Sequence, residues 1–579
     1  MITRFANVGS SAIFLFLSAL LTISRIPVTD TVHPAFFLGL ATLLIVGIFR
    51  IVGGNKISLM ALTAIVSFWV VLTIWSFTTQ FLYDAGHDGH SYHLTAIWEL
   101  ARGWSPFLSS HDNIWVDSYP SGYWVLQSYL VSITGLLLSG KSLTIGLMAA
   151  VALLAYGFFE EQVSDRISRF KVFWGLLFAL VVVANPIVLT QIMTHYVDGS
   201  LYLLGSAMAL FLLSDIYSDN RLARWSAVAC IVLMVNTKTA SLYYVPMIVF
   251  ASLMAGWILK KAENSHFQFI SNWIKSRGIL FGLAFVIGIT IIGYKPYVTN
   301  VVDHGKLLYP SVDKIMATNI PNNLEALPPP VKFFYGIFSR TEDSVWPVPV
   351  TAPIHLKFPG TFYLSEFKAL DFDTRKGGFG PFFSLGFILS IVLYALTRFN
   401  RAHGIRDPER RKGDVLALFA LILILASVFF PESWWARYVP YTWLGILLIS
   451  TSTLFFRDQY TRSLSSRVLM TIIALCFFGN IASAILGSLR QSWHTYQRTA
   501  VIESMKNYPI IELKLIDDPR VIKDYQSTAI TYSDRTWETL LRERGIESKI
   551  VSEFHKKDCE ISGFLDGNIL WCAKAPQKE

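Results

Sequence analysis

Charge is scarce in this sequence. Only 15% of its 579 residues are Asp, Glu, Lys or Arg, against 53% hydrophobic and 14% aromatic, which excludes an ordinary soluble fold and leaves a multi-span membrane protein. Cysteine is scarce too, with four residues and no paired spacing of the kind that builds zinc sites. Cys230 and Cys476 fall in apolar runs. Cys559 and Cys572 share one polar stretch and can pair if their compartment is oxidising, but spacing alone leaves that pairing open. No internal repeat and no low-complexity tract is present, and no Asn-x-Ser/Thr sequon occurs, which is compatible with a bacterial inner-membrane protein.

What the sequence has is apolar length. Runs of roughly 18 or more apolar residues can cross the hydrocarbon as helices, and they recur through the first 490 or so positions. Spans are expected near 11–27, 34–52, 57–82, 142–160, 172–193, 199–217, 223–237, 240–259, 278–297, 381–399, 414–431, 437–456 and 468–489, about 13 in all. The first reads as a retained anchor, because no small-residue cleavage pattern follows it. The stretch 122–138 is also apolar, but counting it as a span would invert every later loop. With it treated as interfacial, the cytoplasmic loops collect Arg50 and Lys56; Arg166, Arg169 and Lys171; Arg221 and Arg224; Lys260, Lys261, Lys275 and Arg277; Arg398, Arg401, Arg406, Arg410, Arg411 and Lys412; and Arg457, Arg462 and Arg467. Short loops rich in Lys and Arg stay inside. The net charge of +9 is then an orientation signal with attraction to anionic lipids, and nucleic acid is not invoked.

The N-terminus is thus cytoplasmic, and 83–141, 298–380 and the tail from about 490 to 579 lie outside. Residues 298–380 are rich in proline (Pro328, Pro329, Pro330, Pro347, Pro349, Pro353, Pro359), which reads as an ordered, irregular loop on the membrane surface. The tail turns charged and mixed, with a helix-like SDRTWETLLRER at 533–544 and a strand-like GNILWCAK at 567–574. The expected fold class is an all-α polytopic bundle over 1–489, followed by a small α/β extracytoplasmic domain over 490–579.

Ionisable groups collect on the outer face of this topology. Asp84, His87, Asp88, His90 and His93 follow the third span; Asp198, Lys238 and Lys295 sit at span ends; Glu432 and Arg437 lie between two late spans. Alone, Lys238, Lys295 or Arg437 reads as a cation snorkelling to the headgroups, and Asp198 as a helix cap. Together they read as one polar cavity opening outward, since charge at membrane depth is costly unless it lines a cavity or is paired. In 88–104, Leu94, Ile97, Trp98, Ala101 and Trp104 recur at spacings of three and four, the pattern of an interfacial helix with an apolar face.

The run from Asp88 through Tyr92 to Gly103 and Trp104, followed by SYPSGYWVLQSYLVSITGLL, resembles the first external loop of the GT-C membrane glycosyltransferases, particularly the aminoarabinose transferase and protein O-mannosyltransferase branch. Asp198 after the next outward span, and Arg437 with Tyr438 in a late RYxxP segment, extend the resemblance loosely over the first 460 residues. Two departures stand: the acidic loop follows the third span where the family has it after the first, and Asp88 is followed by Gly89 and His90 where the family often has a second acid.

The resemblance implies a GT-C-like bundle and inverting transfer of a sugar from a polyprenyl-phosphate carrier to a hydroxyl of a glycan, lipid or protein, outside the bacterial cytoplasmic membrane. Such transfer needs a base beside the acceptor hydroxyl and positive groups on the departing phosphate. Asp88 is the expected base and Asp84 the reserve. Lys238 and Arg437, with Tyr438 and more weakly Lys295, are expected on the donor phosphate. Asp198 is expected to position acceptor or donor, and His87, His90, His93 and Tyr92 to contact substrate. The histidines with Asp84 and Asp88 also raise a metal site; there, Mg2+ or Mn2+ on Asp88 and substrate phosphate suits the ligands better than zinc. A lipid-linked glycan polymerase or ligase is the alternative chemistry, and a flippase or transporter the alternative class. The latter is disfavoured by the missing repeats.

Overall fold

Apolar runs this long bury their backbone hydrogen bonds by forming helices, and the computed structural model is mostly helical. It describes residues 2–25, 34–84, 86, 88–163, 171–260, 266–310, 319–344, 349–399, 408–456, 463–515, 535–553, 559–566 and 569–574. His87, Arg166, Arg169, Lys261, Arg401, Arg406, Arg457, Arg462 and Pro347 lie outside the described residues. Among those described, seven helices are long and apolar enough to cross a membrane, and three shorter apolar ones accompany them. The chain is a multi-pass membrane protein.

The thirteen expected spans each meet helix, with several instructive differences. Residues 34–52 and 57–82 are two arms of Pro34–Thr79, broken at Gly54, whose φ of 74° is open only to glycine at low cost. Ser58 Oγ donates to the Val46 carbonyl at 3.1 Å, a contact between residues that would be about 18 Å apart along a straight helix. The run therefore doubles back. The expected span 172–193 is not one helix: Lys171–Val183 ends, and Pro186–Gln191 starts afresh behind an Asn185 cap with proline in its first turn. The helix expected from 437 begins only at Tyr441, so Arg437 sits in a tight turn at 436–438. Residues 122–138 hold the helix Gly122–Thr134, about 20 Å long and too short to span.

The last long helix, Leu464–Met505, has 42 residues. At about 63 Å it outruns any bilayer and continues through position 490 into the polar tail. There Ile502 and Met505 join Ile511, Leu513, Trp537, Leu541 and Trp571 in a second core. The tail is a small α/β unit: β1 (Ile511–Leu515), β2 (Ser548–Ile550), β3 (Ile561–Asp566) and β4 (Ile569–Ala573) form a mixed sheet in the order β2-β1-β4-β3, with a helix over 535–543. Cys559 and Cys572 are disulfide-bonded.

The segment expected to lie along the interface is built in more deeply than an amphipathic surface helix. Leu94–Ala101 is clamped between two apolar clusters. Leu94 and Trp98 face the tail's core, while Ile97, Ala101 and Trp104 pack with Trp124 and Val131. Thr95 and Thr536 share a hydrogen bond of 2.8 Å. The proline-rich loop likewise folds over the bundle end: Gly336 lies so close to the Trp434 backbone that a Cβ would come within 2.6 Å of its carbonyl oxygen, and Lys357 and Glu366 form a buried ion pair at 2.6 Å.

Candidate active site

Five separate segments deliver charge to one place. Asp198 opens the helix Asp198–Ser218 and is ion-paired with Lys238, which comes from the turn between Arg221–Val235 and Ser241–Lys260. Gln191 Nε2 donates to the other Asp198 oxygen at 3.3 Å, and to the Phe372 carbonyl at 2.9 Å. Arg437 Nη1 lies 3.0 Å from Asp373 Oδ1 and 3.9 Å from Asp88 Oδ2. Asp373 Oδ2 also accepts from Arg375 Nε at 2.5 Å.

Aromatic rings wall the cations. Lys238 Nζ is 4.6 Å from the Tyr438 ring centre, and the Arg437 guanidinium lies 4.2, 5.5 and 5.6 Å from Trp435, Tyr438 and Tyr196. The Asp88 side chain is 34% exposed, that of Arg437 10% and that of Asp198 3%. Asp88 is thus the reachable carboxylate above a buried pair. Burial, then Asp88, pushes the phenols of Tyr92 and Tyr196 well above their usual range. Both stay protonated and can donate.

Asp84, expected as a reserve base, has a different place. Its carboxylate is fully buried, accepting from the His195 amide (2.6 Å), His195 Nδ1 (3.0 Å) and the Gly86 amide (3.0 Å). Burial alone would raise its pKa, but the His195 ring and amide bonds more than offset this, holding it below the ordinary carboxylate range. Gly89 is needed here, because a Cβ would meet the Asp84 carboxylate at 2.1 Å. Asp84 and His195 fasten the loop carrying Asp88 to the loop that ends in Asp198.

The remaining expected residues divide. Tyr438 is at the site through its ring. Beside it Tyr92 stacks on Trp115 and packs, tilted or edge-on, against His93, Tyr119 and Trp124, while His93 meets Tyr119 edge-on and its Nδ1 accepts from Trp124 Nε1 at 2.7 Å. His90 is buried 6.1 Å from the Trp537 ring, toward the tail domain. Lys295 is drawn off to an ion pair with Asp117. His87 lies outside the described residues.

A metal centre built from protein side chains alone does not fit the donor set. Among the described residues no three His, Cys, Asp or Glu side chains are grouped to hold an ion. Asp88, Asp198 and Asp373 each already face a protein cation.

Asp373, Tyr196, His195 and Gln191 were missed by the sequence reading. The signal for Asp373 was present in LDFDTRK at 370–376, where two acids and two bases crowd the end of the proline-rich loop beside an apolar run. Nothing in the linear pattern marks Tyr196, and Gln191 falls within an expected span until the helix breaks at Asn185.

Neither a protein-family model nor a curated protein sequence matches the chain. Among solved structures it is similar to the crystal structure of ArnT from Cupriavidus metallidurans bound to undecaprenyl phosphate, with a TM-score of 0.42 and 12% identity, over 84% of this chain and 89% of that one.

Proposed function

We propose that this protein is a GT-C-type membrane glycosyltransferase that moves a sugar from a polyprenyl phosphate to an acceptor hydroxyl on the outer membrane face. The observation that carries the reading is the meeting of a partly exposed Asp88 with two ring-walled cations, Arg437 and Lys238, at one end of an apolar bundle. A lipid-borne anion reaches such a place from the bilayer, and a hydroxyl acceptor reaches it from water.

In this mechanism the Asp88 carboxylate accepts the proton of the acceptor hydroxyl as its oxygen bonds to the anomeric carbon. The bond from that carbon to the phosphate oxygen breaks, and the electron pair leaves with the polyprenyl phosphate. Charge grows on the phosphate as the sugar becomes oxocarbenium-like, so the Arg437 fork and the Lys238 point charge stabilise the transition state more than the ground state. Tyr438 holds both cations through its ring. Asp198 fixes Lys238, and Asp84 with His195 sets the height of Asp88.

Asp88→Asn tests this. Loss of a general base costs on the order of 10²–10⁴-fold in rate, so sugar transfer from polyprenyl phosphate should fall by that factor while the protein still inserts and elutes as a folded species. Retained transfer would remove Asp88 as the base.

A further inference from the structure

The turn at 371–376 is held with unusual firmness. Buried Asp371 accepts from the amides of Asp373 (2.8 Å), Thr374 (2.8 Å) and Ser344 (3.2 Å). Burial, then the neighbouring Asp373, pushes its carboxyl up to about 7. Thr374 is held at φ 48°, a left-handed conformation that a β-branched residue adopts only under constraint, and its buried hydroxyl has no hydrogen-bond partner. Arg375 is fastened by the Asn319 carbonyl at 2.8 Å and Oδ1 at 3.0 Å, 3.9 Å from the Trp435 ring.

All of this fixes one carboxylate. Asp373 is set between two guanidinium groups, Arg375 at 2.5 Å and Arg437 at 3.0 Å. The two carboxylates in hydrogen-bonding contact with the site's cations differ in access. Asp198 is 3% exposed and tied to Gln191 as well as Lys238, whereas the Asp373 side chain is 18% exposed. Arg437 Nε is buried without a partner, so its fork has a donor to spare.

We infer that Asp373 is the resident counter-ion of the phosphate subsite, occupying Arg437 until a lipid-borne phosphate exchanges with it. The inference rests on the proposed function above and adds a residue to it. A buried guanidinium without an anion is costly, and Asp373 removes that cost in the resting protein. The exchange is feasible because Arg375 stays on Asp373 when Arg437 leaves, so neither side is stranded. Asp373 is a positioning residue: it acts on substrate through Arg437.

The test compares binding of undecaprenyl phosphate and of undecaprenol to the full-length protein in nanodiscs. Removing a competing anion should tighten phosphate binding, so Asp373→Asn and Asp373→Ala are expected to bind undecaprenyl phosphate about tenfold more tightly than the wild type, with undecaprenol unchanged. Damage to the fold does not produce a gain, and either variant that elutes as a folded protein decides the matter. Asp373→Glu keeps the charge and should stay within about twofold of the wild type. Equal or weaker phosphate binding by the neutral variants overturns the inference while the wild type still prefers the phosphate over the alcohol. A wild type that does not distinguish the two lipids overturns the subsite reading itself, and the inference with it.

Discussion

The helix Asp198–Ser218 carries a charged cluster at each end, and the two are built differently. At its far end Asp215 and Asp219 meet Arg224 and Arg277. Arg224 donates to Asp215 at 2.8–3.2 Å and to Asp219 at 2.6 Å, and Arg277 to the same two acids at 2.7–3.2 Å and 2.6 Å. Two acids balance two bases, and each guanidinium fork holds both carboxylates at once. At the near end, about 26 Å away along the helix, Arg437 pairs with Asp373 at 3.0 Å but reaches Asp88 only at 3.9 Å, its Nε is unmatched, and aromatic rings crowd around it. A saturated ion network is a structural clamp. An unsaturated one, partly open to water, has capacity left for a ligand.

Breaking the clamp should have the largest effect. Asp215→Ala leaves two largely buried guanidinium groups with only the exposed Asp219 between them, and losing the buried partner of such a network costs about 3 kcal/mol, the low end of the range for a broken buried pair. Thermal unfolding in detergent should shift accordingly, while the molecules that remain folded should transfer sugar at the wild-type rate. If Asp215→Ala instead altered the donor KM, the assignment of that end as structural would fail.

The near end should respond in the opposite way. Hydrogen bonds to a charged group contribute about 1.5–3 kcal/mol, so Arg437→Ala should lower kcat/KM for polyprenyl-phosphate sugar about 10–100-fold, through a raised KM and a lowered kcat, with little change in melting temperature. Arg224→Ala, at the clamp, should leave that KM alone. Steady-state kinetics with varied donor lipid separates the two.

Acid sharpens the contrast by a smaller amount. Burial drives the His93 ring down to about 3, against the weaker opposing pull of Asp84 and Asp198. The unfolded chain takes a proton near pH 6.5 that the folded ring refuses, so His93's contribution is complete above 6.5 and is lost as pH falls. At about 1.4 kcal/mol per unit, this amounts to roughly 2 kcal/mol between pH 6.5 and 5. His93→Gln keeps an acceptor for Trp124 and should flatten that slope. At the far end, burial would raise the Asp219 carboxyl, but Arg277 and Arg224 outweigh it and hold it below its usual range. That end should therefore stay unchanged over the same window.

Much of this was legible in the linear chain. Apolar runs, loop charges and the change of composition in the tail gave the helices, the small α/β unit and the face on which Asp88, Asp198, Lys238 and Arg437 gather, because each is set by how residues partition between water and hydrocarbon. Other features were not legible, for a common reason. Asp84 and Asp88 are four residues apart and look alike, yet one is sealed by His195 and the other is open. Lys295 resembles Lys238 in sequence context, but Asp117 takes it. Asp373 belongs to the proline-rich loop, which the linear pattern reads as lying on the membrane surface and where it marks no site residue.

The sequence by itself determined that this is a membrane bundle with its polar chemistry at one end, since hydropathy acts residue by residue and needs no partner. Which carboxylate is clamped, which is reachable and which cation has a donor left over was decided only by tertiary structure. Those properties belong to pairs of groups brought within a few ångströms from positions tens to hundreds of residues apart, and no local pattern specifies such a distance.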